Sequence, residues 1–245
     1  MKEIRIGRRE FIAGFSTSAI VSFNVPASAA EPPLSIPVSL EQDRLVLKAR
    51  INEQGPFRFV LDTGGAMSLI DRTVARSLHL MPTGQTRLSL AGRRAQEVYH
   101  DVALTVDGAF RQPHVALTET DLIHFGSDIQ GSLSAGFLTA VPGAIAFDTE
   151  RWVVWPDRLP DLPGYIRVPK SISVPRQGYS PWLFAPASIE GKPLRLVLDT
   201  GFPGAVRLTP GAARRVGIFN DGRPWAPGGH GRRSVRVKQV QIAAD

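Results

Sequence analysis

The chain has 245 residues, 43% of them hydrophobic and 21% charged, a globular composition long enough to bury one large core or two small ones. Lys and Arg give a formal charge of +7, but no concentrated basic run forms, so the surplus reads as solvated surface and no nucleic-acid partner is expected. Cysteine is absent, which excludes disulfides, thiolate metal sites and a cysteine nucleophile.

The first segment, 1–30, reads as an export signal. Lys2, Arg5, Arg8 and Arg9 give it a basic start, an apolar run follows from Phe11 to Val25, and Ala27-Ser28-Ala29 has the small residues of a cleavage site. The Arg8-Arg9 pair before Glu10, Phe11 and Ile12 resembles a bacterial twin-arginine signal, with Gly7 where Ser or Thr is usual. The run falls short of the roughly 20 apolar residues of a spanning helix, so cleavage near Ala30 or Glu31 and a periplasmic or secreted product are expected, without a stable membrane anchor.

Beyond the signal the pattern is all-β. The runs RLVLKARI, FRFVLD, TRLSLAG, DVALTVDG, GAIAFD and RWVVWP are separated by Gly, Pro, Asn and Asp turns. One helical stretch, DRTVARSLHL, places Val74, Ala75 and Leu78 on one side behind a capping Asp71. A second, TPGAARRVGI, repeats it behind Thr209 and Pro210.

The repetition is exact in offset. Arg58, Val60, Leu61, Asp62, Thr63 and Gly64 match Arg195, Val197, Leu198, Asp199, Thr200 and Gly201 at a separation of 137. One inserted residue makes it 138, where Ala75 meets Ala213, Arg76 meets Arg214 and Leu80 meets Ile218. The pattern predicts an internal duplication, with a first unit over 31–158 and a second over 159–245.

An apolar strand ending in Asp-Thr-Gly delivers a carboxylate to a place where water is scarce. Glycine permits a close backbone approach there, and threonine offers a hydroxyl to a partner copy. Two such carboxylates held face to face cannot both ionise, so they share a proton, and the pair can activate a water while protonating a leaving nitrogen. Asp62 and Asp199 are the candidate catalytic pair, supported by Thr63, Gly64, Thr200 and Gly201. The five histidines lack metal-ligand spacing, GSLSAG lacks the nucleophile-elbow pattern, and neither a metal nor an organic cofactor is implied.

These motifs resemble the retropepsin-like branch of the pepsin/retropepsin aspartic protease superfamily. The resemblance covers LDTGG, LSLAGRR at the place of a flap, and the closing stretch from Ile129 to Trp155, with Ser134 where the family usually has Gly. It implies the acid protease fold, two bilobal β-barrel-like units with short helices, and an aspartic-type endopeptidase acting on a peptide or protein substrate. Ala91 and Gly92 become flap candidates in the first unit, and Gly228 and Gly229 in the second. The second unit carries LDTGF, with Phe202 where a small residue is usual, and it reads as C-terminally incomplete, because no counterpart of GSLSAGFL precedes Asp245. A monomeric pseudo-dimer, a homodimer built on Asp62 alone, and a non-catalytic peptide-binding module are the forms this pattern allows.

Overall fold

The computed structural model describes residues 10–13, 32–88, 95–120, 125–126, 128–158, 160–161, 163, 172–173, 179–228 and 232–242. The chain is mostly β-strand with three short helices among these residues. In chain order the first part runs β1 (Glu10–Ala13), β2 (Leu34–Pro37), β3 (Ser39–Glu41), β4 (Arg44–Ile51), β5 (Gln54–Asp62), β6 (Ser68–Asp71) and α1 (Arg72–Ser77). It continues with β7 (Thr86–Leu88), β8 (Ala95–Val106), β9 (Phe110–Thr120), β10 (Gly131–Ser134), α2 (Ala135–Leu138), β11 (Gly143–Ala146) and β12 (Arg151–Val154). The remainder comprises β13 (Phe184–Ile189), β14 (Lys192–Val197), α3 (Pro210–Arg215), β15 (Trp225–Gly228), β16 (Arg232–Val235) and β17 (Val240–Ile242).

Eight strands form the main sheet, in the order β3-β4-β5-β10-β6-β9-β8-β7, with β4 also pairing to β8. The central insertion is β10, parallel to β5 and antiparallel to β6. Gly131 is required there, since a Cβ on it would fall 1.9 Å from the Phe59 ring. One face of this sheet packs Phe59, Leu61, Ile70, Leu104, Leu117 and Leu133 into the main core, all buried to within 0% exposure. The four-stranded sheet β1-β11-β12-β2 closes that core with Ile36, Ile145 and Trp152. Phe110 meets the Trp152 and Phe137 rings edge-on at 5.3 and 5.9 Å, contacts worth about 1 kcal/mol each beyond their buried area. Of the segment read as an export signal, Glu10–Ala13 is described, and it pairs antiparallel with β11; the cleavage site at Ala27-Ser28-Ala29 lies outside the described residues.

The second half is smaller, with a three-stranded sheet β14-β13-β17 and a hairpin β15-β16. Its local geometry follows the first half at the offsets of the sequence repeat. Asp71 caps α1 by accepting the N–H groups of Thr73 and Val74, and Thr209 caps α3 by accepting that of Ala212, with Pro210 in the first turn where its missing donor costs nothing. Both helices then end alike: Leu80 N–H donates to Ala75 O, and Ile218 N–H to Ala213 O. The residues that turn the chain there, His79 and Gly217, both have positive φ. The smaller core contains Ile189, Val216 and Ile218.

Candidate active site

β5 ends at the Asp of the first Asp-Thr-Gly turn, β14 ends at Val197, two residues before the Asp of the second, and the two turns meet. Strand alternation explains what each turn presents. Phe59 and Leu61 point into the main core, so Val60 and Asp62 share the opposite face. After Asp62 the chain bends back, with Gly65 N–H donating to Asp62 O at 3.0 Å, and Phe202 N–H makes the corresponding bond to Asp199 O at 3.4 Å.

Four hydrogen bonds lock the turns together in near-symmetric fashion. The Thr63 hydroxyl donates to Leu198 O at 2.6 Å and accepts from Thr200 N–H at 3.1 Å. The Thr200 hydroxyl donates to Leu61 O at 2.6 Å and accepts from Thr63 N–H at 3.2 Å. Each threonine therefore satisfies two backbone groups of the opposite turn, and Thr63 does so fully buried.

The glycines set how close the turns come. A Cβ on Gly64 would sit 2.3 Å from the Asp199 carboxyl carbon, and one on Gly201 2.6 Å from that of Asp62. No other residue fits under the opposing carboxylate. Asp62 and Asp199 are in hydrogen-bonding reach of each other, and the Asp62 carboxyl also accepts from the N–H groups of Gly64 and Gly65. Burial, then the Asp199 charge, then the hydrogen bond to Asp199 outweigh those donors and push the Asp62 carboxyl up from 3.8 to about 7. Asp199 accepts Gly201 N–H at 3.0 Å and is the more exposed of the two.

That difference follows from the sheet. Ser134 of β10 lies in register with Asp62, whereas β14 is an edge strand among the described residues. Ser134 has its own partners: its N–H donates to the Ser68 hydroxyl, and its hydroxyl bonds those of Ser68 and Ser180. Ser180 N–H in turn donates to Ala66 O at 2.7 Å, so the connector to the second half is tied to the first Asp-Thr-Gly turn. The Phe202 ring packs under the Arg207 guanidinium, 4.1 Å from its carbon, and against Gly204.

One residue near the pair was not singled out by the sequence. Arg44, at the start of β4, donates from Nε to Gly201 O at 3.0 Å and lies over the Phe125 ring. A hairpin turn with positive φ follows β4 at Asn52 and Glu53 and recurs at Glu190 and Gly191, an offset of 138. At that offset Arg44 corresponds to Trp182, so the repeat shows that Arg44 has no counterpart, although its target is a purely tertiary matter.

Of the flap candidates, Ala91, Gly92 and Gly229 lie outside the described residues; β7 and β8 flank the first pair, and Gly228 ends β15 opposite Arg232 of β16. Among the described residues no group of three or more His, Asp or Glu is placed to hold a metal ion, and His114 bonds Asp101 on the surface at 3.1 Å. No helix among them is long and apolar enough to cross a membrane.

Residues 47–137 match the aspartyl protease family, a stretch that includes the first Asp-Thr-Gly turn and β10. None of the curated proteins matches the chain. Among solved structures, a retropepsin-like aspartic protease from Rickettsia conorii is similar at 12% identity and a TM-score of 0.40, covering 53% of this chain and 96% of its own.

Proposed function

We propose, from the premise that the stretch 47–137 is that of a retropepsin-like aspartyl protease, that the chain is an exported aspartic-type endopeptidase with Asp62 and Asp199 as its catalytic pair and two units, 31–158 and 159–245, supplying one carboxyl each. The observation that carries this reading is the pair itself: two carboxyls braced by reciprocal threonine bonds, one of them raised to about 7. Between the unperturbed range and neutrality such a pair holds one shared proton. The ionised carboxylate takes a proton from a water held between the two, the water oxygen attacks the peptide carbonyl, and the protonated partner donates to the carbonyl oxygen. As the tetrahedral species collapses, a proton passes to the leaving nitrogen; one water is consumed, the C–N bond breaks, and the pair returns to one proton.

The threonines and the missing side chains of the glycines set the spacing of the pair, the Gly64 and Gly201 N–H groups donate to its carboxyls, and Arg44 positions the second turn through the Gly201 carbonyl. A peptide-binding module without turnover is the second reading, favoured by the exposure of Asp199 just beyond β14, an edge strand among the described residues. The test is hydrolysis of a mixed peptide library by the wild type, Asp62→Asn and Asp199→Asn. Both variants should lose at least about 1,000-fold in kcat/KM while staying folded, in the range of losing an essential acid or base. An active Asp199→Asn protein would favour a homodimer built on Asp62, and an inert wild type would favour the binding module.

A further inference from the structure

Charge is divided unevenly along the chain. Residues 31–158 carry 12 Lys and Arg against 15 Asp and Glu, whereas residues 159–245 carry 13 against 5. Three of those five carboxylates are already engaged: Glu190 and Asp221 both grip Arg223, at 2.9 and 2.6 Å, and Asp199 faces Asp62. Two of the surplus cations form one continuous surface with exposed rings. Arg214, in the last turn of α3, lies over the Phe219 ring with its guanidinium carbon 4.4 Å from the centroid. Arg233 of β16 lies over the Trp225 ring of β15 at 4.5 Å, and its Nη1 donates to Asn220 Oδ1 at 3.1 Å, which joins the hairpin to the residue after Phe219. Trp225 is 52% exposed and Phe219 37%. Among the described residues no carboxylate contacts Arg214 or Arg233.

We infer that this surface, built from Arg214, Phe219, Asn220, Trp225 and Arg233, docks an acidic stretch of the polypeptide substrate. A guanidinium held over a ring is pinned in place yet keeps donors at its rim, and a carboxylate meets such donors with two parallel N–H···O bonds. Pinning removes part of the side-chain entropy that an exposed ion pair otherwise costs. The rings also separate this partner from the other polyanions that a basic surface attracts. Each has a face occupied by its guanidinium, where a nucleic-acid base would stack. Neither belongs to an amphipathic helix that could sink into a lipid boundary, since Trp225 lies on a strand and Phe219 beyond the end of α3. The negative balance of residues 31–158 repels an acidic chain, so charge directs it to the second half.

The role as a substrate dock rests on the proposed proteolysis, whereas binding itself does not, and the two are measured apart. Binding is read from the fluorescence anisotropy of a labelled octaglutamate on the full chain carrying Asp62→Asn, which removes turnover. Saturable binding is expected, weakening at least about tenfold as ionic strength rises from about 0.05 to about 0.5 M. Arg214→Gln with Arg233→Gln should weaken it at least about tenfold, while Arg50→Gln with Arg111→Gln, the same charge removed from exposed sites in the first half, should leave it within about twofold. Asn220→Asp sets a carboxylate on Arg233 and leaves both ring contacts in place, so it should weaken binding at least about threefold and decides the matter if the double variant unfolds. In the wild type, an acidic extension on a cleaved library peptide should lower KM at least about fivefold with kcat unchanged. No saturable binding, an equal loss in the Arg50 and Arg111 variant, or tighter binding of an octathymidylate or of phosphatidylglycerol vesicles overturns the inference. So does an active enzyme whose KM ignores the extension. An inert wild type that still binds octaglutamate refutes the protease reading and not the acid-binding surface.

Discussion

Asp62→Asn should make the protein inactive and, as pH rises from acid to above neutrality, progressively more stable relative to the wild type. In the folded chain the Asp62 carboxyl is raised from 3.8 to about 7, so between these values the native state holds a proton that the unfolded chain has released. The native state binds more protons across that window, and wild-type stability therefore falls as pH rises from about 4 to about 7. At about 1.4 kcal/mol per tenfold change, the full shift corresponds to about 4 kcal/mol, an upper bound because part of it belongs to the shared proton with Asp199. Asn keeps an acceptor for the N–H groups of Gly64 and Gly65 and can donate to Asp199, but it does not titrate. Urea unfolding at pH 4, 5.5 and 8 measures both proteins. The lowered carboxyls Glu41, Glu190 and Asp221 act in the opposite sense, their stabilisation being lost as pH falls below about 4, and they are common to both proteins. The difference between the two stability curves should thus change by several kcal/mol between pH 4 and 8 in favour of Asn. Parallel curves over that range would refute the account of a buried, proton-sharing pair.

Thr63→Val removes a donor to Leu198 O and an acceptor for Thr200 N–H at a fully buried site, and should cost about 3 kcal/mol in urea unfolding together with most of the activity. Gly201→Ala puts a methyl 2.6 Å from the Asp62 carboxyl carbon, so the turns must separate; kcat/KM should fall at least about 100-fold, measured on the same peptide library. A serine at Gly65 would bring a Cβ to 2.9 Å from Asp62 Oδ2, so this variant should displace the carboxyl and lower kcat/KM on the same peptide library. Mass spectrometry of exported protein should find an amino terminus near Ala30 or Glu31, a product that has lost β1 and bares the outer edge of β11; an intact Met1 would contradict export processing.

Much of the local structure was legible in the sequence because it depends on near neighbours. RLVLKARI is β4 over the same residues, GAIAFD and RWVVWP contain β11 and β12, and Asp71 and Thr209 cap their helices through side chains that reach only three residues along. The pair Asp62 and Asp199 could be named because a repeated apolar strand ending in Asp-Thr-Gly is a local pattern met twice. What joins distant segments was not legible. The place of β10 between β5 and β6 depends on Gly131 clearing the Phe59 ring, a fit between residues 72 positions apart. The hold of Arg44 on Gly201 O spans 157 positions and has no echo in the repeat. Sequence symmetry also predicts two equivalent carboxyls, whereas the fold makes them unequal. Desolvation depends on which strands lie alongside, and β10 covers the first motif strand while nothing described covers the second.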